Sequence, residues 1–178
     1  MKLFKSLLTL TFAVALSTAT FAQGTGSLTA SANVVQDITV DVQQNLDFGT
    51  ILTGDLNGGS KSLALTSSAA DSLGKFQIDF TSSNANFILS LDAPSSLSRV
   101  GTFSTGESSL PFAVTANYTE NSTDPAASAT SFSSGEASVT AANANGYVYV
   151  GGTLNSGAAA NTYNGPYEGT ITLSVYAE

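Results

Sequence analysis

The chain has 178 residues, with 13 acidic against 5 basic side chains, a net charge of −8, and neither histidine nor cysteine. An acidic surface of this kind repels nucleic-acid phosphates and anionic lipid. The missing side chains exclude the common zinc sites, cysteine and histidine nucleophiles, Ser-His-Asp triads and disulfides, so stability must come from packing.

Lys2 and Lys5 open the chain, an apolar run follows from Leu7 to Leu16, and Thr20-Phe21-Ala22 closes it with small residues ahead of Gln23. This is the layout of a secretory signal peptide over residues 1–22, because about ten apolar residues fall short of the roughly 20 that a membrane span needs. Residues 23–178 then form one domain with a single core. Its only cations are Lys61, Lys75 and Arg99, and its net charge is about −10. No later apolar stretch is long enough to be a transmembrane segment.

From Gln23 onward every clear period is two, the signature of strands with one wet and one buried face. Leu28, Ala30, Ala32 and Val34 alternate with Thr29, Ser31 and Asn33, and the same parity resumes at Ile38, Val40 and Val42. Leu46-Asp47-Phe48-Gly49-Thr50-Ile51 reads as a short strand with a bulge or close approach at Gly49. Residues 54–60 read as a loop, and Leu63 and Leu65 mark another short strand. Phe76, Ile78 and Phe80 alternate with Lys75, Gln77 and Asp79. Phe87, Leu89 and Leu91 follow, with Ile88 as an apolar exception on the outer side and Asp92-Ala93-Pro94 as the stop.

Residues 95–109 are mixed, anchored by Val100 and Phe103. Leu110, Phe112, Val114, Ala116 and Tyr118 form an unambiguous strand. Residues 119–145 read as a long decorated loop with a short strand near 136–141. Tyr147 to Leu154 is a strand ending at the paired Gly151-Gly152, and residues 155–164 are a small-residue loop. In the final strand Tyr167, Ile171, Leu173 and Val175 fall on one face, and Thr170, Thr172, Ser174 and Tyr176 on the other. That strand must find its neighbours far upstream, and eight to ten short strands separated by turns predict an all-β, two-sheet antiparallel sandwich, with a closed barrel as the competing arrangement. An outer-membrane barrel does not fit, since the outer positions are Thr, Asp, Lys and Gln where a lipid-facing band would need apolar residues.

Val34-Val35 with Ile38 and Val40, Leu46-Asp47-Phe48-Gly49-Thr50-Ile51, Tyr149-Val150-Gly151-Gly152-Thr153-Leu154, and Gly165 to Tyr176 together resemble an uncharacterised family of secreted bacterial domains. That family in turn looks like spore coat protein U and the major subunits of chaperone-usher fimbriae. The resemblance implies an immunoglobulin-like, pilin-like sandwich exported to the periplasm or cell surface, self-associating or pairing with related subunits, with a periplasmic chaperone as a further partner. In fimbrial subunits the fold lacks one strand, and a neighbour's N-terminal extension fills the groove by strand addition. This chain departs from the pattern in having no disulfide and in having only residues 23–34 as an extension.

Two sets of residues are the candidates this reading singles out: Leu28, Ala30, Ala32 and Val34 as a donor strand, and Ile171, Leu173, Val175 and Tyr176 as the strand presented for assembly. An ordinary first strand and plain core are the competing explanations. No catalytic residues, metal ligands or cofactor are expected. Asp55, Asn57 and Gly58, or Glu120 and Asp124, lack the ligand density of a calcium loop and read as solvated turns. Tyr147 and Tyr149 share a strand face, and Asn117 and Asn121 open glycosylation-type triplets. The expected function is that of a secreted, surface-exposed structural subunit. The alternative is a monomeric surface binding or adhesion module that recognises a glycan or another surface ligand through the loop at 119–145.

Overall fold

The structure is a computed structural model that describes residues 37–56, 59–81, 85–101, 109–155 and 165–178. In chain order its elements are β1 (Ile38–Gln44), the helical turn α1 (Thr53–Leu56), β2 (Ser60–Leu63), a 3-10 turn (Ser67–Ser72), β3 (Gly74–Phe80), β4 (Ala85–Asp92) and β5 (Ser96–Arg99). There follow β6 (Ser109–Thr119), β7 (Thr130–Phe132), β8 (Gly135–Ala141), β9 (Asn145–Asn155), β10 (Tyr167–Glu168) and β11 (Thr172–Ala177). All ladders among the described residues are antiparallel. They make two sheets. The larger runs β1-β3-β9-β6-β5-β10, with β2 added to β9 and β7 added to β6, and the smaller runs β11-β4-β8. The all-β two-sheet sandwich is thus the fold, within the unit formed by residues 35–178.

The period-two pattern decides which side chains meet between the sheets. Ile78 and Phe80 of β3, Ala116 and Tyr118 of β6, and Val148 and Val150 of β9 face Phe87, Leu89 and Leu91 of β4, Val139 and Ala141 of β8, and Leu173 of β11. Phe80 and Phe87 stack across the core with centroids 4.2 Å apart and planes 12° from parallel. Beyond the reach of the short sheet, a second cluster of Leu56, Leu110, Phe112 and Leu154 is covered by Phe48 and Ile51 from an irregular segment and by Leu97 of β5 and Tyr167 of β10. Phe48 meets Phe112 edge-on at 6.0 Å.

Several expectations need correction. Residues 46–51 are not a strand. The Gly49 amide is captured by the Asp47 carboxylate at 2.7 Å and Gly49 takes φ +67°, a local turn that the apolar alternation conceals. The longest irregular part of the expected loop is 120–129, since β7 and β8 occupy much of the rest and β8 completes the small sheet against β4. Val100 is 43% exposed and anchors nothing. Leu97 packs instead, and Phe103 lies outside the described residues. The last strand is two: Tyr167–Glu168 pairs with β5 in the large sheet, and Thr172–Ala177 pairs with β4 in the small one.

β9 does not stop at its glycine pair. The pair lets three strands converge, because β2 and β6 flank β9 there on opposite sides. A Cβ on Gly151 would collide with the Leu63 carbonyl, and one on Gly152 would stand 2.5 Å from the Ala113 carbonyl oxygen and 2.6 Å from the Phe112 ring. Gly152→Ala should therefore destabilise the fold by about 1–3 kcal/mol, read as a lower urea midpoint with an unchanged denaturant slope.

Candidate functional site

β1 and β11 are the outermost strands of their sheets on one flank of the sandwich, and neither has a second ladder partner among the described residues. Hydrogen-bond alternation fixes what each presents to the open side. The Glu178 amide donates to the Asn86 carbonyl at 3.1 Å, in the register that aligns Tyr176 with Ile88 and Ser174 with Ser90. Even-numbered residues of β11 therefore bond inward to β4, and the N–H and C=O groups of Leu173, Val175 and Ala177 point to the free side. On β1 the Thr81 amide donates to the Asp37 carbonyl, in register with Thr39 opposite Asp79. The outward backbone groups there belong to Ile38, Val40 and Val42.

Both edges share a consequence. The residues that offer backbone groups outward are the same residues whose side chains point between the sheets, as the buried Leu173 and the partly buried Ile38, Val40 and Val175 show. Where β1 ends and β11 begins, the flank opens into a groove of about 1180 Å³ between residues 42–52 and 165–171. Its floor includes Phe76, Phe112, Val150 and Leu154. Asp47 and Glu168 line it, and among the described residues no Lys or Arg does. Val42 and Leu52 stand at its lip with 64% and 67% of their surface exposed, although Val42 belongs to the inward-facing set of β1. The bulge between Val42 and Gln44 turns the strand away from the ladder at this point.

The expected assembly residues are divided by this geometry. Leu173 is buried and Val175 half-buried on the core side, and Ile171 lines the groove just before β11. Tyr176 lies on the opposite, outer face and is 54% exposed. Leu28, Ala30, Ala32 and Val34 lie outside the described residues. The groove itself was not legible from strand periodicity, because its walls are the irregular segment 45–52 and residues 165–171, where only the two-residue β10 is regular. The exposed apolar Val42 and Leu52 carry its signal once the fold is known.

The segment 120–129 is fastened to the outer face of the large sheet. Asn117 Nδ2 donates to the Pro125 carbonyl at 2.9 Å, Thr119 Oγ1 to the Ala127 carbonyl at 2.5 Å, and Lys75 Nζ to the Ser122 carbonyl at 2.6 Å. Beneath it Tyr149 is 2% exposed, so the Tyr147–Tyr149 pair does not form an open stacking surface. Lys75 Nζ lies 4.7 Å and 5.3 Å from the two ring centroids. Burial lowers the Lys75 ammonium pKa and raises that of the Tyr149 phenol, to which the charges of Tyr147 and Asp124 add. Burial and then Glu120 push the Tyr118 phenol well above its ordinary range.

Glu120 accepts from the Ala142 and Asn143 amides, and Asp124 caps the Ala126 amide at 3.0 Å, so both carboxylates serve turns. Asn57 and Gly58 lie outside the described residues, and among those described no three His, Cys, Asp or Glu side chains are grouped to hold a metal ion. Asn117 is only 7% exposed, which removes its triplet as an accessible glycosylation site. No helix among the described residues is long and apolar enough to cross a membrane.

The family model for a domain of unknown function, DUF4402, matches residues 38–177. No curated protein matches the chain. A solved structure of the chaperone-tip adhesin complex of CFA/I fimbriae biogenesis is similar to it with 11% identity and a TM-score of 0.44, over 80% of this chain and 43% of that one. The chain thus spans less than half of that protein's length.

An open flank sets a contrast between its lip and its floor. Val42→Asp should alter the free energy of unfolding by no more than about 0.5 kcal/mol. Leu173→Asp should cost more than about 3 kcal/mol or prevent folding, because it buries an unpaired charge. Urea titration of the two variants checks the difference, and equal losses would mean that the flank is closed.

Proposed function

This chain belongs to the DUF4402 family of domains of unknown function, and from that premise we propose that it is a secreted surface structural subunit that assembles by strand addition, without catalysis. The observation that carries the reading is the flank of β1 and β11, where neither edge has a second ladder partner among the described residues and a partly apolar groove opens at the end of β1 and just before β11. An extended peptide laid there would satisfy both edges by main-chain hydrogen bonds and drop alternate side chains onto the floor. The size of the groove supports a peptide over a small ligand, since small-molecule pockets run to about 1,000 Å³ and are largely enclosed. The resemblance of the chain's motifs to fimbrial major subunits supports the same reading.

In this reading residues 1–22 direct export, residues 23–178 act as one domain, and Leu28, Ala30, Ala32 and Val34 are the inward side chains of the donor strand. The donor comes from a neighbouring copy. Asp37 continues the line of β1, its amide donating to Thr81 Oγ1 at 3.0 Å and its carbonyl accepting from the same residue. A tight two-residue hairpin back onto the same β1 would turn at Val35-Gln36, which supplies neither the Gly nor the Asn that such a loop favours. Donation in trans leaves each copy with an open groove and a free strand, the condition for a head-to-tail filament.

Electron microscopy of the secreted chain, with and without residues 23–34, tests the proposal. Filaments are expected from the full mature chain, and dispersed single subunits from the truncated one. A truncated chain that assembles as well as the full one would contradict it, as would a mature chain that stays monomeric at all concentrations while a glycan protects residues 120–129 from protease.

A further inference from the structure

We propose that Tyr176 selects the strand that β11 accepts, by admitting only small side chains at the position facing its ring; this rests on the strand-addition reading above. Tyr176 is 54% exposed on the outer face of the small sheet, at its open edge. Its inward cross-strand neighbour is the half-buried Ile88, and Ser174 and Ser90 beside it are too small to cover the ring. Its backbone is bonded toward β4, so on the free side it occupies a non-hydrogen-bonded position. In an antiparallel addition, the sense of all the described ladders, such a position brings the opposing Cα to about 4.5 Å, against about 5.5 Å at a hydrogen-bonded one.

The Tyr176 ring thus falls directly on the outward side chain of the incoming strand. A Gly, Ser, Thr or Asn there lets the ring fold down over the added backbone, burying a face that is now wet. A longer side chain holds the ring off and leaves that face exposed. The segment proposed as donor meets this requirement as well as the inner one. With Leu28, Ala30, Ala32 and Val34 facing in, the residues facing out are Thr29, Ser31 and Asn33. One side of the strand is chosen by the core between the sheets and the other by Tyr176.

The test is binding of a labelled synthetic peptide of residues 23–36 to the chain without residues 1–34, the form expected above to stay as single subunits, as wild type, Tyr176→Phe and Tyr176→Ser. Binding to Tyr176→Phe should match wild type, and binding to Tyr176→Ser should be about two- to five-fold weaker, with all three unbound chains melting at the same temperature. A second peptide, carrying Thr29→Gln, Ser31→Gln and Asn33→Gln, should lose affinity for the wild type and lose less for Tyr176→Ser. Equal binding of the first peptide by wild type and Tyr176→Ser, or equal loss on the second, would overturn the role of Tyr176 while leaving strand addition intact. A first peptide that binds none of the three chains would overturn strand addition and this inference with it.

Discussion

A buried backbone amide or carbonyl without a partner costs about as much as a lost hydrogen bond, and the edge of a sheet is a row of such groups. In this molecule the constraint bears on one flank, where the outward groups of β1 and β11 belong to Ile38, Val40, Val42, Leu173, Val175 and Ala177. Ladder and pleat are locked in phase there. A strand added in register must therefore bring its own inward side chains to the space between the sheets at the same step that satisfies the edge. Each ladder bond contributes about 0.5–1.5 kcal/mol net, and each apolar side chain covered adds about 25 cal/mol per Å² removed from water. The two gains come together, which favours a whole strand over any fragment of one.

The two edges are not equally guarded. β1 is flanked by Asp37 and carries Asp41, and it ends in a bulge, all devices that discourage edge-to-edge pairing. β11 has neither charge nor proline between Thr172 and Ala177, and its register against β4 is regular throughout. β11 therefore lacks the features that discourage edge-to-edge pairing. The acids at Asp47 and Glu168 line the groove without crossing its floor, and the donor segment proposed for it carries no charge at all.

Much of this architecture could be read from the residues in order. Phe76, Ile78 and Phe80, then Phe87, Leu89 and Leu91, then Leu110 to Tyr118 sit on the faces their alternation assigns, and the expected short strand at 136–141 is β8. Alternation failed where a local turn could hide inside it. Leu46 and Phe48 keep strand parity, yet the Asp47 side chain and Gly49 convert the segment into a groove wall. Tyr167 and Ile171 keep parity with Leu173. Gly169 nevertheless packs where a Cβ would meet Leu97 and Pro94 at 2.8 and 2.9 Å, so the chain bends and passes from one sheet to the other. The groove exists because of these two breaks, and no local pattern encodes the distance between segments more than a hundred residues apart.

The central claim concerns which backbone groups of β11 are unpaired, and amide hydrogen exchange reads them one at a time. In the monomeric chain the amides of Ser174 and Tyr176, bonded to β4, should exchange slowly, while those of Leu173, Val175 and Ala177 exchange fast and become protected on assembly. Uniform protection of residues 173–177 in the monomer would show that the edge is already occupied, and would contradict the account.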